Sequence, residues 1–150
     1  MRVVIQRVSK ASVAINKEEK RCIKHGMMIL VGIENDDNNE DINWLVKKIL
    51  QLRIFDDSEG VMNLDIRDVA GDILTVSQFT LHAKVKKGNR PSYIKAAKPD
   101  ISIPLYQGFV KALGSELGKT ITTGEFGAHM DVELVNDGPV TILIDTKNKE

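Results

Sequence analysis

The sequence has little cysteine, no excess charge of either sign and no long hydrophobic run, and each shortage excludes a class of protein. One cysteine, Cys22, among 150 residues excludes an intramolecular disulfide and fits a reducing compartment. Lysines and arginines number 21, as do the acids, whereas proteins that coat duplex DNA are usually basic, so we expect no DNA partner. No apolar run approaches the roughly 18 residues of a membrane span, and the N-terminus lacks a signal-peptide layout. We therefore expect a cytoplasmic protein with no membrane partner.

Motifs of serine hydrolases and of common cofactor- and metal-dependent enzymes are also missing. The chain has no G-x-S-x-G elbow, no Walker loop and no dinucleotide-binding fingerprint. Its histidines, His25, His82 and His129, are scattered rather than spaced as metal ligands. The acidic run at 34–41 lacks the glycine and the last glutamate of an EF-hand, which favours a solvated helix start. We expect no metal and no cofactor.

The apolar residues predict a single sheet-rich α/β domain over residues 1–150, in which 145–150 form a flexible tail. Helical spacing predicts one helix with a stripe from Ile42 to Leu50 and a second over 101–118, with Pro104 in its first turn. Continuous or alternating apolar segments predict strands at 2–8, 11–16, 25–33, 72–81, 130–135 and 139–145. We expect two packed β-layers with both helices covering one sheet face.

Two short segments allow a chemical interpretation as well as a structural one. In "SQFTL" (77–81), the polar row Gln78-x-Thr80 is most simply a solvated face at a strand end. Alternatively, the Thr80 hydroxyl or nearby N–H groups act on a carbonyl, although a hydroxyl without an adjacent base is a weak nucleophile. In "NDGPVT" (136–141), Asn-Asp-Gly predicts a hairpin turn and Pro139 opens an edge strand.

Cations are concentrated in one segment of this otherwise neutral chain. No acid lies between residues 82 and 98. Six cations fall in that segment: Lys84, Lys86, Lys87, Arg90, Lys95 and Lys98. A solvated loop and a docking patch for phosphates both explain this composition.

Taken together, these segments resemble the D-aminoacyl-tRNA deacylases, also called D-tyrosyl-tRNA deacylases. "SQFTL" and "NDGPVT" match the signature pair of that family, and "MRVVIQRV", "LRIFDDSEGVMNLDI", "KKGNRPSY" and "GEFGAHM" match it in order. The resemblance spans residues 1–145. It implies a homodimeric, cofactor-free hydrolase that cleaves the ester between a D-amino acid, or glycine, and the 3′ end of tRNA.

The resemblance also implies roles for individual residues. Gly138-Pro139 would carry a cis peptide that inserts into the partner subunit's site, and Arg7 would orient that peptide. The catalytic pocket would be lined by Ser77, Gln78, Phe79 and Thr80. The other substrate-binding positions would be Ala96, through its backbone, then Phe126 and Met130, and finally Asn136 and Thr141, which would fix the hairpin. The basic segment would then contact tRNA through Lys84, Lys86, Lys87 and Arg90.

The implied activity makes physical sense of these residues. Enantiomers carry identical groups, so a rigid backbone wedge can exclude L-amino acids by sterics without a pocket for any one side chain. For the chemistry, a backbone oxyanion hole at Phe79–Thr80 with help from the tRNA 2′-hydroxyl is favoured over a covalent Thr80 intermediate. Two other functions stay open: a non-catalytic RNA-binding module that uses residues 84–98, and a general small-ester hydrolase.

Overall fold

The computed structural model describes every residue from Met1 to Glu150. It has two helices, α1 (Asn39–Leu50) and α2 (Pro99–Leu117), and a short 3₁₀ turn at Phe79–His82. Its strands are β1 (Arg2–Ile15), β2 (Glu19–Ile23), β3 (Gly26–Gly32), β4 (Phe55–Asp56), β5 (Met62–Leu64), β6 (Asp72–Ser77), β7 (Thr122–Thr123) and β8 (Met130–Asp145). No helix of the protein is both long enough and apolar enough for a membrane span.

β1 pairs with three other strands of the main sheet. Six strands form a mixed sheet in the order β2-β1-β3-β6-β7, with β8 also paired to β1, while β4 and β5 form a separate small sheet. The first half of β1 pairs with β3 and its second half with β2, and β8 runs antiparallel along both halves. β3 and β6 are parallel, so they end at the same edge of the sheet.

Two hydrophobic cores lie on opposite faces of this sheet. The larger contains 20 buried residues, most of them from the two helices and from the inward side chains of β1, β3 and β6. The smaller contains 8 buried residues, among them Val13 of β1 and Leu74 of β6. The predicted fold, two β-layers with both helices on one sheet face, is confirmed.

Helix α1 follows its predicted stripe and begins at a capping box. All five predicted stripe residues, Ile42, Leu45, Val46, Ile49 and Leu50, are buried. The Asn38 side chain accepts the Glu40 N–H, and the Asp41 carboxylate accepts the Asn38 N–H. The acidic run is less solvated than expected, because Asp37 is buried against the Met1 ammonium group and Asp41 is held by Lys147 at 2.8 Å.

Four predicted boundaries are wrong, and tertiary pairing explains two of them. The segments 2–8 and 11–16 form one strand, because β8 pairs along both, and 130–135 and 139–145 likewise form one strand rather than a hairpin. β6 ends at Ser77, where the chain enters the 3₁₀ turn. α2 begins at Pro99, so Pro104 lies inside the helix instead of in its first turn.

The C-terminal residues, expected to be a flexible tail, make several contacts in the structure. Thr146 is buried, and its N–H donates to the Met1 carbonyl at 2.9 Å. The Lys149 ammonium lies 4.6 Å from the centre of the Trp44 ring. Together with the Lys147–Asp41 pair, these contacts join the end of the chain to the start of α1.

Candidate active site

A bulge interrupts the β8 ladder opposite Arg7. Gln6 pairs with Thr141 and Val8 pairs with Asn136, so residues 137–140 of β8 lie opposite the single residue Arg7. Within this bulge the Gly138-Pro139 peptide is cis, and both residues are exposed. The hairpin turn predicted at this position is therefore a bulge that projects from a continuous strand.

Arg7 anchors the base of the bulge to the rest of the protein. Its side chain is only 6% exposed, and Nε donates to the Asp137 carbonyl at 3.1 Å and lies 3.3 Å from the Asp137 carboxylate. Nη1 donates to the Ile54 carbonyl at 2.7 Å and to the Asp56 carboxylate at 3.1 Å. Contacts on several sides fix the plane of the guanidinium, so the bulge is tied to the start of the β4–β5 sheet.

Gly138 and Asn136 fix the shape of the bulge from within. Gly138 has φ of +121°, and a Cβ placed on it would lie 2.8 Å from Nη2 of Arg7, so both conformation and space require glycine. The Asn136 side-chain amide donates to the carbonyls of Arg7 at 3.0 Å and Val140 at 2.9 Å, which joins the two ends of the bulge. The Thr141 hydroxyl donates to Asn136 at 3.3 Å. All the residues predicted to shape Gly138-Pro139 thus lie together.

A cleft of about 500 Å³ opens where β6 ends. Six predicted site residues line it: Ser77, Gln78, Phe79, Ala96, Phe126 and Met130. The other lining residues are Val31, Ile33, Val76, Tyr93, Ala97, Pro99, Ser102, Gly127, Ala128, His129 and Val132. No residue of the bulge lines the cleft of its own chain, so the structure places the predicted site in two separate parts.

The end of β6 sets the geometry of the cleft. The Gln78 N–H donates to the Val31 carbonyl at 2.7 Å, which holds the 3₁₀ turn against β3. Phe79 and Thr80 are the first residues of this turn. No earlier carbonyl of the turn can therefore accept their N–H groups, and no side chain caps the turn. Below the turn, the Tyr106 hydroxyl lies 3.0 Å from both the side chain and the carbonyl of Thr75. Burial raises the pKa of Tyr106, so the hydroxyl stays protonated.

Thr80 itself lies just outside the cleft lining. Its Oγ1 accepts a hydrogen bond from the Gln78 amide at 2.5 Å and has no hydrogen bond to a carboxylate or an imidazole. The ionisable side chains that do line the cleft are Tyr93 and His129, and His129 is 69% exposed and 3.4 Å from Asp131. No cluster of three or more histidines, cysteines or acids is arranged to hold a metal. The cleft therefore offers backbone donors and shape rather than a buried acid–base pair.

The predicted tRNA-binding cations lie on one exposed loop beside the cleft. Lys84 and Ser92 exchange two backbone hydrogen bonds, of 2.8 and 3.0 Å, which close the intervening residues into a loop. Lys84, Lys86, Lys87 and Arg90 are all exposed, and none of them takes part in a salt bridge. Their charges are therefore free for an anionic ligand.

Among the lining residues that sequence reasoning missed, the two with ionisable side chains are Tyr93 and His129. Tyr93 ends the segment "KKGNRPSY". An aromatic residue within a basic loop is a pattern that could have indicated a binding role. His129 stands in "GEFGAHM", where an isolated histidine carries no spacing that would single it out. Gly124 was also missed: a Cβ on it would collide with the Met130 sulfur, so this glycine makes room for Met130 at the cleft.

Comparison with known proteins gives consistent matches over the whole chain. The family model for D-Tyr-tRNA(Tyr) deacylase matches residues 4–145. Three curated relatives are similar to this chain over 150 residues, with 100% of both chains covered. They are the D-aminoacyl-tRNA deacylases of Bacteroides fragilis (strain YCH46), at 69% identity, Flavobacterium psychrophilum, at 64%, and Porphyromonas gingivalis, at 61%.

Two solved structures share the fold. One, the c-Myc DNA Unwinding Element Binding Protein, has a TM-score of 0.88 and 38% identity, over 97% of this chain and 98% of that one. The other, a probable eukaryotic D-amino acid tRNA deacylase, has a TM-score of 0.83 and 20% identity, over 95% of this chain and 97% of that one. With the family model and the curated relatives, these matches identify the chain as a member of the D-Tyr-tRNA(Tyr) deacylase family.

Proposed function

We propose that the protein is a D-aminoacyl-tRNA deacylase that hydrolyses the ester between a D-amino acid and the 3′ end of tRNA and so recycles mischarged tRNA. The observation that carries this proposal is its 69% identity, over the full length of both chains, to a D-aminoacyl-tRNA deacylase. Glycyl-tRNA is a further substrate in this proposal, because glycine has no side chain for a steric filter to reject. Because aminoacyl-tRNA is used in translation, which takes place in the cytoplasm, the enzyme in this proposal is cytoplasmic.

The steric filter in this proposal is the Gly138-Pro139 bulge of a second copy of the chain. The bulge is exposed, and its shape is fixed by hydrogen bonds from Arg7 and Asn136. A steric filter has to be rigid, and these hydrogen bonds supply that rigidity. It lines no part of the cleft in its own chain. A homodimer in which each copy inserts its bulge into the other's cleft accounts for both features.

Catalysis in this proposal depends on positioning. An aminoacyl ester is already activated, so the N–H groups of Phe79 and Thr80 need only stabilise the developing oxyanion while the tRNA 2′-hydroxyl assists. The backbone at Ala96 holds the substrate's amino group, and Phe126 and Met130 supply apolar walls. Phosphates of the tRNA are bound by the unpaired cations Lys84, Lys86, Lys87 and Arg90.

The test is a time course of ester loss from D-tyrosyl-tRNA and L-tyrosyl-tRNA of identical tRNA sequence. The proposal predicts rapid release of D-tyrosine and release of L-tyrosine at the spontaneous rate. Equal release of both, together with turnover of simple aryl esters, would indicate a general ester hydrolase. Release of neither, with tRNA binding that Lys86 and Lys87 substitutions abolish, would indicate a non-catalytic RNA-binding module.

A further inference from the structure

The 3₁₀ turn that carries the proposed oxyanion donors lies directly on the end of β3. The Gln78 N–H donates to the Val31 carbonyl at 2.7 Å. A Cβ placed on Gly32 would lie 2.9 Å from the Leu81 Cβ and 3.1 Å from the Gln78 carbonyl oxygen. A side chain at position 32 would push the turn away from the sheet, whereas glycine lets the two backbones approach each other.

Arg2 of β1 lies beside this contact between turn and sheet. It pairs with Gly32 of β3 on one side and with Asp145 of β8 on the other, and both pairings are antiparallel. Residues directly opposite each other in antiparallel strands project from the same face of the sheet. The Arg2 and Asp145 side chains therefore project next to the place where Gly32 leaves room for the turn.

The Arg2 guanidinium joins the turn to β8. Its Nη1 donates to the Leu81 carbonyl at 2.7 Å, while Nε and Nη2 donate to the Asp145 carboxylate at 3.0 and 2.7 Å. Burial by itself would raise the pKa of Asp145, but hydrogen bonds from Arg2 and from the Lys147 N–H lower it. The carboxylate is therefore charged at neutral pH, and it fixes the plane of the guanidinium so that Nη1 points at the turn.

The turn needs support of this kind because its own hydrogen bonds are few. The Leu81 N–H donates to the Gln78 carbonyl at 3.3 Å, and the Ala83 N–H donates to the Thr80 carbonyl at 3.1 Å. Hydrogen bonds of a 3₁₀ turn have poorer geometry than those of an α-helix. A shorter, charge-assisted bond from Arg2 therefore contributes a large share of the rigidity of the turn.

We propose that Arg2, oriented by Asp145, is a positioning residue that holds the oxyanion-binding N–H groups of Phe79 and Thr80 in place. The inference rests on the proposed function, because it assumes that these N–H groups stabilise the oxyanion of the reacting ester. Arg2 does not line the cleft and acts only through the turn. Oxyanion donors have to be placed closely, and a displacement of about 1 Å can lower a rate about 100-fold.

The test is single-turnover hydrolysis of D-tyrosyl-tRNA at saturating enzyme. Arg2→Ala should lower the rate about 10- to 100-fold. Its Kd for uncharged tRNA should stay at the wild-type value, because Arg2 lies outside the cleft lining. Arg2→Lys keeps the charge and the donors without the planar fork of the guanidinium, and it should recover part of the lost rate.

Lys119→Ala is the matched control. Like Arg2, Lys119 combines an ion pair, to Asp72 at 2.8 Å, with hydrogen bonds to backbone carbonyls, those of Ala70 and Gly71 at 2.7 and 3.1 Å. Its side chain is 39% exposed, against 33% for Arg2. Because Asp72 begins β6, this clamp lies at the end of the strand away from the turn. Lys119→Ala should lose stability in urea unfolding as Arg2→Ala does, yet hydrolyse at the wild-type rate.

Asp145→Asn tests whether Asp145 acts through Arg2. Asparagine can still accept the Lys147 N–H that Asp145 accepts at 3.0 Å, so the variant removes mainly the partner of the guanidinium. It should lower the rate less than Arg2→Ala does. The double variant should be no slower than Arg2→Ala alone, because two residues that act as one unit are not additive.

Amide hydrogen exchange is a second readout that does not depend on hydrolysis. Arg2→Ala should speed exchange of the Leu81 and Ala83 amides about tenfold and leave exchange in β6 unchanged. Wild-type hydrolysis together with an unaffected Arg2→Ala variant, an equal slowing by Lys119→Ala, or unchanged exchange in the turn overturns the proposal while the deacylase function stands. A wild type that does not hydrolyse D-tyrosyl-tRNA refutes the proposed function itself, and with it this role of Arg2.

Discussion

At the scale of single residues, the contact between Arg7 and Gly138 determines the shape of the bulge on β8. The guanidinium occupies the space that a side chain at position 138 would need. Arg7 in turn holds its position through Ile54 and Asp56, residues that lie far from the bulge in sequence. A substitution at either end of this chain of contacts therefore changes the wedge without touching the cleft.

Gly138→Ala should destabilise the protein by about 1–3 kcal/mol, the range for a strained backbone position, and should lower the rate of D-tyrosyl-tRNA hydrolysis. The reason is that the new Cβ meets the held Arg7 side chain 2.8 Å away while φ is +121°. The matched control is Gly60→Ala, where φ is also positive, at +76°, but no heavy atom lies within 4 Å. Gly60→Ala should lose stability by urea unfolding yet keep wild-type activity; equal activity losses would contradict the account.

Thr80→Ala tests the oxyanion mechanism against a covalent one. The Thr80 hydroxyl has only the Gln78 amide as a hydrogen-bond partner, and no carboxylate or imidazole is hydrogen-bonded to it. We expect single-turnover hydrolysis within about tenfold of the wild type, because the N–H of residue 80 remains after the substitution. Loss of activity by about 1,000-fold or more, or a trapped acyl-enzyme in the wild type, would establish Thr80 as the nucleophile.

At the scale of elements, the start of α1 combines a cap with an ion pair. Burial by itself would raise the pKa of Asp41, but hydrogen bonds from Lys147, Thr146 and the Asn38 N–H outweigh it and lower the pKa to about 2. An unfolded aspartate titrates near 3.9. The carboxylate thus stabilises the fold fully above about pH 4, and this contribution is lost as pH falls through 2.

Asp41→Asn should therefore lose about 2 kcal/mol of stability near pH 6 and almost none near pH 2. Asparagine can still accept the Asn38 N–H, so the variant removes mainly the charge. Urea unfolding at both pH values measures the difference, with Asp68→Asn as the control, since Asp68 also accepts a backbone N–H but is exposed. A loss for Asp41→Asn that is the same at both pH values would show that the ion pair is not its cause.

The elements also differ in how far they can be predicted from residues that are close in sequence. The α1 stripe and its cap depend on spacing within a few residues, and so they could be predicted. Asn136-Asp137-Gly138 has the local chemistry of a hairpin turn, and only pairing with β1, more than 120 residues away, makes it a bulge. The same holds for Arg7, whose partners at Ile54, Asp56 and Asp137 have no local signal.

At the scale of the whole molecule, the two halves of the predicted site lie apart in one chain. The segments around Ser77 and Phe126 meet at the cleft, whereas Gly138-Pro139 projects from β8 outside it. Sequence motifs alone could identify both halves through their family resemblance, but they could not show this separation, because spacing along a chain does not specify distance. Because the bulge does not reach the cleft of its own chain, the proposed enzyme needs a second copy of the chain.

Complementation between two variants with impaired hydrolysis tests this central claim most directly. One variant, Gly138→Ala, has a defective bulge and an intact cleft; the other, Ala96→Trp, has a filled cleft and an intact bulge. If the bulge acts in the partner's cleft, each mixed dimer gains one working site, and random mixing should restore about a quarter of wild-type D-tyrosyl-tRNA hydrolysis. If mixing the two chains restores no activity although mixed dimers form, the bulge does not complete the partner's site and the account is wrong.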